Sequence, residues 1–199
     1  MPPFAGPQEL PRRWDKPSEP PPKLLSRDFI LLFCMAMFSN SYIAVFYCFE
    51  QWLESLSISP NWRGVLLSSL FAMVLLCRPL ASVLLLKRGR LLAMLTSIMV
   101  SSCVMLAYPY VLGEHVIGII WLLRIIQGIA LAVYSSCTVA VLVSCIPKGQ
   151  SAKGFALFSL TMLLPYSIIP ALAERLLPVL GGETHLFALT AVLGLPALA

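Results

Sequence analysis

Long uncharged runs alternate with short polar connections along this chain. Phe29 to Phe49 contains no acidic or basic residue, and Gly64 to Cys77 repeats the feature. A helix needs about 20 apolar residues to cross the hydrocarbon core of a bilayer, so runs of this length predict membrane spans. The pattern places six, at about 28–50, 63–86, 90–111, 115–146, 153–177 and 185–199. Ser26 or Asp28 can cap the first helix. Pro109 falls near the end of the third span, and Pro147, Lys148 and Gly149 stop the fourth. The sixth reaches only about 22 Å before Ala199 at 1.5 Å per residue. Against a hydrocarbon core of about 30 Å, that span is expected to be truncated.

The fold class implied is an all-α integral membrane bundle. Composition fits it: the chain is 59% hydrophobic and 12% charged, where soluble domains average about 25% charged. So few charges cannot cover a water-soluble globule, which removes most enzyme classes. The sequence has no G-x-x-x-x-G-K-[ST] nucleotide cradle, and neither enzyme activity nor a cofactor is expected. Residues 1–27 read as a cytoplasmic tail, because Pro2, Pro3, Pro7, Pro11, Pro17, Pro20, Pro21 and Pro22 stand among charged residues there. Such a segment cannot form a core and stays extended; it serves as a solvated leader or as a proline-recognition ligand.

The formal charge of +5 does not point to nucleic acid, because the basic residues occupy the connections between spans. Arg12, Arg13, Lys16, Lys23 and Arg27 precede the first span; Lys87, Arg88 and Arg90 join the second to the third; Lys148 and Lys153 join the fourth to the fifth. The opposite side carries Arg63 and Arg175 beside Glu50, Glu54, Glu114, Glu174 and Glu183. By the positive-inside rule the N-terminus is cytoplasmic, in a plasma membrane or bacterial inner membrane. The six cysteines, at 34, 48, 77, 103, 137 and 145, sit in apolar stretches without C-x-x-C spacing and read as packing residues. His115 and His185 fall at outer span ends with no neighbouring ligands at metal spacing, so no metal site is expected.

Two segments carry a resemblance. Lys87, Gly89 and Arg90 match G-x-x-x-D-[RK]-x-G-[RK], the loop signature between spans two and three of the major facilitator superfamily, although Ser82 and Leu86 stand at its Gly and Asp positions. Arg124-Ile125-Ile126-Gln127-Gly128, with Ala130 and Ala132 following, resembles the superfamily's R-x-x-Q-G-x-[GA]-x-A motif in span four. The loop from Ile146-Pro147-Lys148 to Lys153-Gly154-Phe155-Ala156 is similar to the usual approach to span five. Ile169-Pro170-Ala171-Leu172-Ala173-Glu174 lacks the glycines of the drug:proton antiporter pattern G-P-x-x-G-G. The resemblance runs from about Asp28 to Ala199 and implies the N-terminal six-helix half of a permease.

The residues themselves point to a polar interior. Arg124 lies roughly 13 Å into its span, where a charge costs about 2.5–3.5 kcal/mol on insertion scales and faces a bundle interior or an aqueous cavity. On a 100°-per-residue wheel Gln127, Ser135 and Thr138 fall within about 60° of it, and Gly128 beside them permits close helix approach. Arg124 then either binds an anion or couples a proton, or else locks helices through buried hydrogen bonds. In span one Asn40, Tyr47, Gln51 and Glu54 project within about 40° of one direction; they line a cavity, or Asn40 bonds between helices and Glu54 rests at the interface. Glu50 is a proton carrier only if burial raises its pKa. Arg78 with Lys87, Gly89 and Arg90 forms either an inner gate or ordinary headgroup anchors. Pro165 and Pro170 are expected to kink span five.

The function expected is secondary active transport of a small-molecule substrate by alternating access, this bundle rocking against a second six-helix half around a midplane site. The alternative is a non-transporting membrane sensor or assembly module on a half-transporter fold. The lipid bilayer is the common partner of both readings, and nucleic acid of neither.

Overall fold

The computed structural model describes residues 24–85 and 89–193. The proline-rich tail to residue 23, Lys87 and the last six residues of the expected sixth span lie outside the described residues. Helix α1, Arg27–Val45, begins where the Ser26 hydroxyl accepts a hydrogen bond from the Phe29 backbone N–H at 3.2 Å, and Asp28 sits in the first turn, where its charge complements the helix dipole. A 3-10 turn, Phe46–Cys48, leads into α2, Phe49–Ser55. Helix α3, Pro60–Leu85, starts at a proline, whose missing N–H is no loss in a first turn; it therefore opens three residues before the expected position. Helix α4, Arg90–Ala107, ends in a second 3-10 turn, Tyr108–Tyr110. Helix α5 is Val116–Cys145 and α6 is Ser151–Leu180, which ends at Gly181 with φ of 76°. That left-handed conformation suits glycine. Helix α7, Glu183–Leu193, completes the described residues.

Five of these stretches are long and apolar enough to cross a membrane: Arg27–Ser55, Pro60–Ala81, Arg90–Tyr110, Val116–Cys145 and Ser151–Leu180. Large apolar side chains such as Leu75, Leu76, Leu91 and Leu92 are exposed on their outer faces, a surface that only lipid or another apolar partner can cover. The chain is an all-α, multi-pass membrane protein.

Helix α5 forms the centre and packs most extensively on α3 and α4. Gly128 sets the α3 contact: a Cβ there would stand 2.7 Å from Met73 Cβ and 2.8 Å from the Leu70 carbonyl oxygen. Only glycine lets the two backbones come so close. Around this axis the core has two parts. Phe29, Leu32, Met94, Ile98, Tyr134 and Leu142 pack near the start of α1. Phe49, Trp52, Leu53, Tyr108 and Phe187 pack at the far end. There the Phe46, Phe49, Trp52, Tyr108 and Phe187 rings stand 5.3–6.3 Å apart by centroid, most of them edge-on or tilted, which is the favoured geometry for aromatic pairs.

Candidate functional site

Between those two core regions lies a cavity of about 450 Å³ to which all five long stretches contribute. Ser39, Tyr42, Phe46 and Tyr47 face it from the first, Leu67, Leu70 and Phe71 from α3, and Ser97, Ile98 and Ser101 from α4. Helix α5 supplies Arg124, Gln127, Leu131 and Tyr134, and α6 supplies Tyr166 and Pro170. The volume falls in the range of small-ligand sites, about 300–1,000 Å³.

Arg124 is 2% exposed and lines this cavity. Its guanidinium carbon lies 4.3 Å from the Phe46 ring centroid and 3.7 Å from that of Phe49. The two rings meet at 68° with centroids 5.3 Å apart, so the cation sits in a corner of two π-faces rather than between parallel plates. Its Nε has no hydrogen-bond partner, and among the described residues no carboxylate pairs with it; the ion pair seen there joins Arg63 to Glu54 at 3.4 Å. A desolvated charge left without an anion is strongly unfavourable, and the ring quadrupoles offset that cost only in part.

Gln127, one turn on, is buried and accepts a hydrogen bond from the Tyr108 hydroxyl at 3.2 Å. That bond fixes the amide beside the cavity. Tyr42 shares a 2.7 Å hydrogen bond with Ser102, holding α1 to α4. Asn40 is buried but turns away from the cavity and toward α6. Its Nδ2 donates to the Thr161 carbonyl at 3.0 Å. Pro165 lies four residues after Thr161 and has no N–H, so that carbonyl has lost its helical donor. The Asn40 amide replaces it.

The other expected residues divide plainly. Tyr47 lines the cavity and is 60% exposed. Thr138 is buried, its hydroxyl bonded to the Tyr134 carbonyl at 2.8 Å and to Met94 Sδ at 3.5 Å; Ser135 bonds to the Ala132 carbonyl at 3.1 Å. Neither lines the cavity. Glu50 is exposed, and Glu54 engages Arg63, which also donates through Nε to the Ile58 carbonyl at 2.7 Å. Arg78, Gly89 and Arg90 are exposed around the connection from α3 to α4, and Lys87 lies outside the described residues. The 3-10 turn Phe46–Cys48 advances about 120° per residue in place of 100°, which rotates α2 and its Glu54 by roughly 60° from the direction a uniform helix would share with Asn40.

Phe46 and Phe49 were not among the expected site residues. With Tyr42 they recur at spacings of four and three, one helical face, and this aromatic stripe is the signal that could have found them.

Apolar helices enclosing a largely apolar cavity with a buried arginine on its wall fit a multi-pass membrane protein of the transporter type. The chain matches the family model of the Major Facilitator Superfamily over residues 29–199 and belongs to that superfamily. No curated protein matches it.

Proposed function

We propose that the protein is a secondary active transporter that moves a small solute by alternating access. The observation that carries this reading is Arg124, a buried and uncompensated cation on the wall of a solute-sized cavity. Such residues inside membrane spans mark solute and ion pathways. Arg124 and Gln127 bind or couple the solute. Asn40, Ser135 and Thr138 hold the surrounding helices in place, and Tyr47 with Glu50 and Glu54 forms the outer mouth. Arg78, Lys87, Gly89 and Arg90 form the inner gate. Residues 28–199 act as one six-span bundle that works against a second bundle of the same kind, and the broad apolar faces left uncovered on α3 and α6 support that partnership.

The N-terminus is cytoplasmic, as the distribution of Lys and Arg requires. On a cysteine-free background, single cysteines at positions 88 and 150 should react with impermeant reagents only from the cytoplasm, and those at 57 and 183 only from outside. Labelling of position 57 from the cytoplasm would reverse the orientation.

Alternating access has its own test. A cysteine at Ser101, on the cavity wall, should be modified from either side of sealed vesicles over time, while the protein shows no conductance in planar bilayers. A steady conductance would identify an open pore, and reactivity from one side alone would leave the sensor or assembly module as the reading.

A further inference from the structure

We infer that the cavity takes an organic monoanion with an apolar body, its single carboxylate seated on Arg124 beside Phe46 and Phe49. This rests on the cavity being the transporter's solute site and adds the class of solute.

Charge is the first ground. Among the described residues that line the cavity, Arg124 carries the only formal charge. It is 2% exposed, its Nε is unpartnered, and no carboxylate of the described residues reaches it. A cation in that position has an unmet requirement for one anion. A cationic ligand would add repulsion in a low-dielectric site, and a dianion would bring a second charge with nothing to neutralise it.

Geometry is the second ground. The two phenyl faces occupy two sides of the guanidinium at 3.7–4.3 Å and offer no hydrogen-bond acceptor. Guanidinium donors lie in its own plane, where a planar, two-oxygen acid group accepts in parallel. The rest of the wall suits an apolar body: Leu70, Ile98 and Leu131 line it, with neutral polar groups between them.

The test uses the full chain in neutral maltoside micelles, titrated calorimetrically with 3-phenylpropionate, 3-phenylpropionamide and 3-phenylpropylamine, which share one body and differ in charge. The acid should bind at least about tenfold tighter than the amide, and the amine should bind weakest. Arg124→Gln should remove the difference between acid and amide, and Arg124→Lys should retain part of it. Equal binding of acid and amide, no binding of the acid at millimolar concentration, or an acid preference that survives Arg124→Gln would each overturn the assignment. Should Arg124→Gln not fold, the ranking of the three ligands on the unsubstituted chain and on Arg124→Lys decides alone.

An acidic lipid such as phosphatidylglycerol also brings one negative charge on an apolar body. Repeating the titration in nanodiscs of zwitterionic lipid, with and without phosphatidylglycerol, separates the two sources. Undiminished binding of the acid supports a free solute, whereas its loss only when phosphatidylglycerol is present makes the lipid the occupant and overturns the proposal. The transport reading stands or falls separately. Acid-selective binding without flux in proteoliposomes would end that reading and keep the ligand class, and flux of neutral or cationic compounds without acid preference would do the reverse.

Discussion

Arg124→Gln is expected to reduce solute transport at least about tenfold, a change of roughly 1.4 kcal/mol in the barrier, while the protein's thermal stability stays close to that of the unsubstituted chain. The combination arises from what Arg124 touches. An arginine that locks helices would hold buried acceptors, and its removal would leave them unpaired at about 1–3 kcal/mol each. Here the guanidinium rests on two phenyl rings and its Nε has no partner, so glutamine abandons no acceptor. Lost cation–π attraction, about 0.5–2 kcal/mol, is smaller than the release from burying an unpaired charge, and burial of the glutamine amide takes up the surplus. Arg124→Lys should also lose transport, because an ammonium keeps the charge but neither lies flat on a ring nor presents paired in-plane donors. Transport is read in proteoliposomes and stability by thermal unfolding of the same preparation. A folded Arg124→Gln protein with full transport would remove the residue from the mechanism. Loss of stability and expression together would return it to a structural role.

The two classes of residue at this site differed in how far sequence could reveal them. Arg124 and Gln127 stood out because a bilayer penalises polar groups, so any such group in an apolar run carries information by itself. The helix lengths were legible for the same reason, since the thickness of the membrane dictates them. Phe46 and Phe49 were legible only as an aromatic stripe with Tyr42, not as partners of a charge: a phenylalanine costs nothing in lipid or in a core, and only the approach of α5 gives these two rings their cation. Thr138 shows the converse. The helical wheel put it on the face of Arg124, but a wheel describes one helix, and the neighbouring Met94 and the Tyr134 carbonyl absorb the hydroxyl instead. Uniform winding also fails at Phe46–Cys48, where the 3-10 turn moves Glu54 off the direction that a uniform helix would share with Asn40.

The pairing of Asn40 with Pro165 gives the second large effect, and a double-substitution cycle isolates it. Asn40→Leu keeps the branched outline of the side chain but leaves the Thr161 carbonyl buried with no donor, since Pro165 cannot supply one. In water such a loss costs about 1–3 kcal/mol, and in a membrane interior no solvent replaces the bond, so a destabilisation of about 2–3 kcal/mol is expected. Pro165→Ala alone should be close to neutral, because the alanine N–H returns to the Thr161 carbonyl four residues back, a partner that Asn40 already satisfies. Combined with Asn40→Leu, that same N–H becomes the carbonyl's donor, and the double variant should recover at least ~1 kcal/mol of what Asn40→Leu lost. Thermal unfolding of the four proteins in one detergent measures the cycle. Strict additivity, to within about 0.5 kcal/mol, would mean that the Asn40 amide does not substitute for the missing proline donor. The bond also joins α1, which leads into Phe46 and the Arg124 corner, to α6, which carries Tyr166 and Pro170 on the cavity wall. Asn40→Leu should therefore weaken transport even where the chain still folds, and Pro165→Ala should restore part of it in the double variant.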